Sequence, residues 1–481
     1  MNTVKPMTLM PLALNLRTIR LTTAIGAALL VSGCASNFNG PYQAPALTIP
    51  AQYSQASVAT STDASGFAMP DMTWWTRFND PELDRLVAAV LQRNNNLAAA
   101  AIRVRRAQLL AGLADNNLQP RFSGSVGTGA SLPLEAGAVT TRSNSVSLGA
   151  AYEIDLWNRL GSLRDVARWE ALATEQDRQS TVLTLVGTTA GLYWQLGFVN
   201  QRLSANTESI AYAQTTFNLV QAQYRAGAVS GLEVAQAQQT LASQQANQSI
   251  LLQLAVEART ALALLLDGPP GTSLSNPATL PALALPLVDA GVPAALLGRR
   301  PDLRAAELRL RGSFTGIDAT RASYYPAFSL TGSLGSSSAQ LGSVLQNPVA
   351  TLGLGVTLPF LQRTAMQLSI RVSETQYEEA VVNFRQTLYT ALGDVDNALS
   401  SRQQLAQQGA RLEETLQAAL TAEKLYEVRY RAGAATLSLW LDAQEKRRTA
   451  DIALATNRLA RLNNQVTVYK ALGGDAAITA P

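Results

Sequence analysis

The sequence predicts a mixed α and β chain that is mostly α-helical and internally duplicated, with four short strands set between very long helices. Three observations carry this reading. First, the second half repeats the first at a nearly fixed offset: Tyr224-Arg225-Ala226-Gly227-Ala228 recurs as Tyr430-Arg431-Ala432-Gly433-Ala434 (430 − 224 = 206). The same offset carries Pro120 to Pro326, Phe122 to Phe328 and Gly149 to Gly355. Second, each copy holds two segments that alternate apolar residues with Ser, Thr or Gly at period two, the pattern of a strand with two unlike faces. Third, the other segments are Ala- and Gln-rich runs longer than any compact domain can use as single helices. Two copies of one long unit make the architecture pseudo-symmetric.

Composition excludes several functions. The chain has 481 residues, is 47% hydrophobic and only 15% charged, and contains no His and one Cys. Without His it lacks the commonest general base and the commonest metal ligand, so no catalytic, cofactor-binding or metal-binding residue is predicted. A single Cys cannot form an intrachain disulfide. At the N-terminus, Lys5, Arg17 and Arg20 precede an uncharged stretch from Leu21 to Gly33, shorter than the roughly 20 residues that span a bilayer. It ends Leu30-Val31-Ser32-Gly33-Cys34, which resembles the lipobox of bacterial lipoproteins. The resemblance implies a signal peptide over 1–33, lipidation at Cys34 and, with Ala35 and Ser36 following, sorting to the outer membrane. Removing 1–33 removes three cations and leaves 35 Lys and Arg against 34 Asp and Glu. Charge therefore gives no footprint for nucleic acid. No later run of 18 or more apolar residues is present, so no helical membrane span is expected.

Along the chain, residues 34–70 are rich in Ala, Ser, Thr, Pro and Gln and read as an extended, lipid-anchored segment. A first repeat over 71–267 opens at Trp74-Trp75, residues expected to pack near the middle of the molecule. Asp80 is the expected N-cap, with Pro81 at the first helical position. One helix is predicted from there to about Gln119, roughly 60 Å at 1.5 Å per residue. Two strands follow in a β-hairpin over about 121–155. Phe122, Gly124 and Val126 alternate with Ser123, Ser125 and Gly127; then Val146, Leu148, Ala150, Tyr152 and Ile154 alternate with Ser147, Gly149, Ala151, Glu153 and Asp155. Tyr152 is a candidate for a membrane-interface belt. A helical hairpin with its tip near 227 runs from about 161 to Leu266. An equatorial linker covers 268–298, beginning at the breaker cluster Gly268-Pro269-Pro270-Gly271, and is expected to join a small mixed domain.

The second repeat over 299–472 has the same plan: a helix, a β-hairpin over about 327–360, and a helical hairpin with its tip near 433. A tail over 473–481 closes the chain. Here Leu352, Leu354, Val356, Leu358 and Phe360 alternate with Thr351, Gly353, Gly355, Thr357 and Pro359. An apolar face backed by a Ser/Thr/Gly face suits a membrane barrel with lipid outside and water inside. Four strands cannot close such a barrel, which needs about eight, and open edges in lipid leave backbone groups unpaired at several kcal/mol each. The membrane reading therefore requires several copies of the chain.

With these features assembled, the chain resembles the outer-membrane efflux protein family, the TolC- and OprM-like channels, and within it the NodT-like lipoprotein branch. The resemblance rests on Trp74 to Leu83, Asn95-Asn96-Leu97, Arg299-Arg300-Pro301-Asp302-Leu303 with Ala305-Ala306-Glu307, the paired Tyr-Arg-Ala-Gly tips and Leu441-Asp442-Ala443-Gln444. It covers essentially all of the chain after the leader. It implies a homotrimer whose four strands per chain form a twelve-stranded β-barrel, continued by a long periplasmic α-helical barrel with a small equatorial domain. It also implies that the channel is the exit duct of a tripartite pump, with a periplasmic adaptor and an inner-membrane transporter as partners, outer-membrane lipid around it and no nucleic acid. The expected cargo is drugs or other small organic toxic compounds; metal-ion efflux and polypeptide secretion are alternatives, as is a structural envelope-spanning lipoprotein of another class.

The same resemblance places a periplasmic gate at the two helical turns, which hold Tyr224, Gly227 and Gly433. The family's acidic position in the first hairpin falls on Glu233 and its tip tyrosine on Tyr430, and a hydrogen bond from the Tyr430 hydroxyl to the Glu233 carboxylate is predicted. Alternatively, Glu233 is a solvated helix residue and Tyr430 a packing residue. Asp442 keeps one position of the family's acidic pore lining, or serves as an inter-helix hydrogen-bond partner. Leu439 stands where other members carry charge and suggests an apolar constriction. The offset pairs Glu233 with Leu439 and Gln236 with Asp442, so the copies differ at the proposed gate. Arg299-Arg300-Pro301-Asp302 is read as a helix start tied to its surroundings rather than a phosphate site.

Overall fold

The computed structural model describes residues 40–54, 73–135, 137, 139–272, 275–281, 285–286, 293 and 296–474. Cys34 and the expected signal peptide lie outside the described residues. After a short turn at Trp74–Phe78, the first repeat consists of α1 (Pro81–Arg93), α2 (Asn95–Asn116), β1 (Arg121–Ser131), β2 (Thr141–Ile154), α3 (Arg159–Arg225) and α4 (Gly231–Leu265). The second consists of α5 (Leu296–Arg299), α6 (Pro301–Ala322), β3 (Ala327–Ser338), β4 (Val349–Thr357), α7 (Arg363–Arg431) and α8 (Leu437–Ala471).

Asp80 caps α1 as expected, accepting from the backbone N–H groups of Glu82 and Leu83 at 3.1 and 3.2 Å, with Pro81 at the first position. The single helix expected from there to Gln119 is instead two. Asn94 leaves the helix (φ −65°, ψ 126°). Its Oδ1 accepts from the N–H groups of Asn96 and Leu97, and its Nδ2 donates to the Leu265 carbonyl at 2.9 Å. One side chain thus restarts a helix and satisfies a carbonyl at the end of α4, a tertiary gain that apolar periodicity does not encode.

The four strands form one antiparallel sheet in the order β1-β2-β3-β4. The register sets Phe122, Ala150, Gly332 and Leu352 in one cross-strand row, and Ser123, Gly149, Ser333 and Thr351 in the next. Pairing of β2 with β3 therefore joins the two repeats' hairpins with like faces together. Phe122, Val126 and Leu352 are more than 80% exposed. On the opposite face, hydroxyls pair between strands, Ser125 with Ser147 at 2.8 Å and Ser333 with Thr351 at 2.5 Å. β4 stops at Thr357 rather than Phe360, because Pro359 has no N–H for the ladder and starts a turn over Pro359–Leu361. Among the described residues, β1 and β4 have no strand on their outer sides.

The chain divides into two compact units. One comprises the described residues of 40–45, 108–169 and 310–379, and holds the sheet with the helix ends attached to it. There Arg159 forks onto Glu153 at 2.7 Å, Trp157 Nε1 donates to the Pro326 carbonyl at 2.8 Å, and Arg321 pairs with Glu374 at 2.7 Å. The other unit comprises the described residues of 46–107, 170–309 and 380–474. Its largest core gathers Trp74, Leu83, Val87, Trp194, Leu262 and Tyr469, with Trp74 stacked on Tyr469 at 4.8 Å. Trp74 is a packing residue, as expected.

The expectation of no helical span needs correction at the level of composition. Windows in α3 and α4 reach mean hydropathies of 1.3 and 1.2 and are long enough to cross a membrane. The run from Gln179 to Gln201 holds no charge. That run supplies Val186, Ala190, Tyr193, Trp194 and Val199 to the core, so its apolar character is used in packing within this unit.

No strand occurs among the described residues of the equatorial linker, so the small mixed domain expected there is helix and coil. The linker is fixed by side chains of the helices: Arg402 and Gln465 both donate to the Pro286 carbonyl, at 3.2 and 2.9 Å. Gly197 admits it on α3, since a Cβ there would lie 2.8 Å from the Thr279 carbonyl oxygen. Arg300 behaves as a structural tie. Its guanidinium donates to Asp302, Asp394 and the carbonyls of Ala391 and Ala471, while Asp302 also accepts from the Leu303 N–H at the start of α6. Burial works against both charges, but their mutual hydrogen bonds win, holding the Asp302 carboxyl below its usual range and the Arg300 guanidinium above its own.

Candidate functional site

The two helical-hairpin turns are built alike. Gly227 and Gly433 adopt φ 73° and 72°, the left-handed conformation that glycine takes without strain. Ala228 N–H donates to the Gln223 carbonyl and Gly227 N–H to that of Tyr224, both at 2.9 Å; Ala434 and Gly433 repeat this onto Arg429 and Tyr430 at 2.8 and 2.9 Å. This paired termination is a Schellman motif. The duplicated Tyr-Arg-Ala-Gly-Ala segment is therefore a helix-stop signal used twice.

The restarts after the turns differ. In the first, Ser230 and Glu233 form a capping box. Glu233 Oε2 accepts from Ser230 N–H at 3.0 Å and from the Ser230 hydroxyl at 2.5 Å, while Ser230 Oγ accepts from Leu232 N–H. In the second, Thr436 makes no side-chain cap, and position three of the box is Leu439, half-exposed. The loss of charge from Glu233 to Leu439 is thus a lost cap.

The hydrogen bond expected between Tyr430 and Glu233 is not formed within this chain. Tyr430 donates to Gln223 Oε1 at 3.0 Å, and Glu233 is occupied by Ser230. The local cap wins because it needs no ordering of a distant partner. Its bond to the Ser230 hydroxyl, with the backbone donors, holds the Glu233 carboxyl below its ordinary value. Burial first, then the nearby Glu233 charge, raises Tyr430 although Gln223 favours its ionised form. Asp442 pairs along its own helix with Lys446 at 2.8 Å, which raises the lysine. Tyr224 is exposed beside its turn.

Residues the sequence reading did not single out hold the turns together. Trp440, buried, stacks on Tyr430 at 5.0 Å and meets the edge of Tyr212 at 6.0 Å. With Val220, Ala237 and Leu437 they form an apolar cluster joining both hairpins. The spacing Leu437, Trp440, Leu441 is an apolar helical stripe and was the available signal. Around this cluster, Arg431 pairs with Glu427 and Arg447 with Glu423, both at 2.6 Å. Burial and these two carboxylates push Tyr212 up to about 12.

A single antiparallel sheet with one apolar and one hydroxyl-rich face, duplicated with long helical hairpins, defines a subunit of a membrane pore. The chain matches the family described as outer membrane efflux protein over residues 86–268 and 292–474, two stretches that begin 206 residues apart (292 − 86 = 206). It belongs to that family. It is 33% identical over 425 residues to the pyoverdine export outer membrane protein OpmQ of Pseudomonas putida, covering 86% of this chain and 90% of that one. It is 30% identical over 460 residues to toxin and drug export protein A of Aggregatibacter actinomycetemcomitans, covering 95% and 98%. The solved structure of CusC superimposes with a TM-score of 0.81 at 26% identity, over 90% of this chain and 99% of that one. The chain is accordingly an outer-membrane efflux channel subunit, whose strands contribute to a trimeric β-barrel and whose helices contribute to a helical duct. Channels of this family work in tripartite pumps with an adaptor and an inner-membrane transporter.

Proposed function

We propose that this chain is a lipoprotein, acylated at Cys34 after removal of 1–33, that exports drugs or other small organic toxic compounds across the outer membrane. The observation that carries the reading is the sheet: four strands whose apolar faces align and whose opposite face is mostly Ser, Thr and Gly. Its partners are a periplasmic adaptor and an inner-membrane transporter, and it catalyses no reaction itself. The duplicated layout of 71–267 and 299–472 about the linker 268–298 gives each chain two hairpin tips for a periplasmic gate. Tyr224, Gly227 and Gly433 shape those tips, and Glu233, Tyr430, Leu439 and Asp442 stand at them. The lack of His, with Met69, Met72 and Met366 the only methionines after the leader, leaves few soft-metal ligands and favours organic cargo.

A deletion strain tests the function: it becomes hypersensitive to dyes, detergents and hydrophobic drugs, and the chain restores resistance. Unchanged susceptibility with altered metal tolerance would move the assignment to metal-ion efflux. Replacing Cys34 by Ser is expected to abolish labelling by a radioactive fatty acid; persistent labelling would place the lipid elsewhere.

A further inference from the structure

A cavity of about 470 Å³ lies among α3, α4, α7 and α8, below the apolar cluster that joins the tips. That size suits a small organic molecule. Among the described residues, four of its lining side chains, Arg202, Glu208, Gln244 and Asp451, make no hydrogen bond or ion pair. The Arg202 guanidinium on α3 makes no hydrogen bond or ion pair and rests over the Phe198 ring at 5.6 Å. Asp451 on α8 is likewise unpaired. The side-chain amide of Gln244 on α4, whose residue is 7% exposed, makes no hydrogen bond although its own backbone carbonyl accepts from Asn206. By contrast, the Arg447 and Glu423 charges that also line the cavity lie against each other at 2.6 Å.

Arg202 and Asp451 line the same void without pairing with each other. Burial alone lowers the Arg202 guanidinium, with no carboxylate near enough to offset it. A half-buried cation, two separate carboxylates and the amide of a mostly buried residue thus line one void with hydrogen-bonding capacity that no protein group takes up. Leu251, Ile452 and Ala455 supply an apolar floor between them.

We propose that this cavity binds a zwitterionic organic molecule, its carboxylate on Arg202, its ammonium on Asp451 and its apolar body against Leu251 and Ile452. Bound there, the molecule ties the first helical hairpin to the second. It therefore favours the arrangement in which the hairpins are together, and binding and closure are reciprocally linked. Only this consequence rests on the gate reading; the binding itself does not.

The test uses the purified, detergent-solubilised trimer and the dipeptide leucylphenylalanine, whose charged ends flank an apolar body. Equilibrium binding is compared with its methyl ester and its N-acetyl form, which each lack one charge. The dipeptide binds saturably, and each analogue loses on the order of tenfold in affinity, the scale of one charge-assisted hydrogen bond. Arg202→Gln loses discrimination against the ester, and Asp451→Asn loses discrimination against the N-acetyl form, while the exposed Arg411→Gln leaves both intact. Should Arg202→Gln fail to assemble, the analogue series on the unmodified trimer still decides. Absence of saturable binding, or equal affinity for all three compounds, overturns the proposal. If binding holds but the dipeptide does not reduce channel conductance in planar bilayers, the site stands and its link to closure falls.

Discussion

Glu233 shows how a charge beside a helical-hairpin turn can belong to its own helix. Its carboxyl is held below the ordinary value of 4.5 by the Ser230 hydroxyl and backbone donors. A depressed folded value means the cap contributes its stability in full above pH 4.5 and loses it as the pH falls through the folded value. Hydrogen exchange over 229–234, compared between the native protein and Glu233→Gln at matched pH, should therefore differ by a constant amount from pH 8 to pH 5. The difference then shrinks below pH 4.5; a decline already between pH 7 and pH 5 would contradict this. Trp440 makes the opposite kind of contribution, through area rather than charge. It is buried between Tyr430 and Tyr212, and truncating such a side chain costs about 3–5 kcal/mol. Trp440→Ala should open both turns to limited proteolysis while leaving the strand loops at 132–140 and 339–348 cut at native rates. Equal protection of the turns in this variant would show that the cluster does not hold them.

At the scale of elements, the two copies share their helix-stop signal and differ in their helix-start signal. The second turn lacks the capping box, so α8 begins with backbone N–H groups that no side chain of its own first turn satisfies. Leu439→Glu rebuilds Thr-x-x-Glu at 436–439, and should slow hydrogen exchange over 434–440 without changing 228–234. It should also lower spontaneous opening in planar bilayers, if fraying of the second turn starts the opening; slower exchange with unchanged opening would separate the cap from the gate. The strands were legible to within a few residues because period two over a Ser/Thr/Gly background leaves no helical alternative, and the long helices because Gly227 and Gly433 punctuate them. What sequence could not show was tertiary exchange of partners. Asn94 breaks a helix to bond Leu265, and Tyr430 turns to Gln223 rather than to Glu233. Each choice depends on which neighbour the fold brings within about 3 Å, and periodicity carries no information about that.

At the scale of the whole molecule, closure of the sheet decides whether the chain can exist in a membrane at all. Among the described residues of one chain nothing pairs with the outer edges of β1 and β4, and each unsatisfied group in hydrocarbon costs several kcal/mol, so the edges must be met by neighbouring copies. The same sheet sorts its faces by single residues. Leu352 and Thr351 are adjacent in β4, yet Leu352 shares its row with Phe122 and Thr351 with Ser123. An arginine toward lipid costs about 2–4 kcal/mol at mid-membrane, and in a trimer it is imposed three times. Leu352→Arg should therefore abolish the heat-resistant trimer on gels and strip the protein from the outer-membrane fraction. Thr351→Arg, one residue away, should assemble normally and shift the reversal potential toward anions, because three cations then face the water-filled interior. If both variants assemble alike, the sheet's two faces do not meet two different solvents, and the strands are not the part of the chain that crosses the membrane.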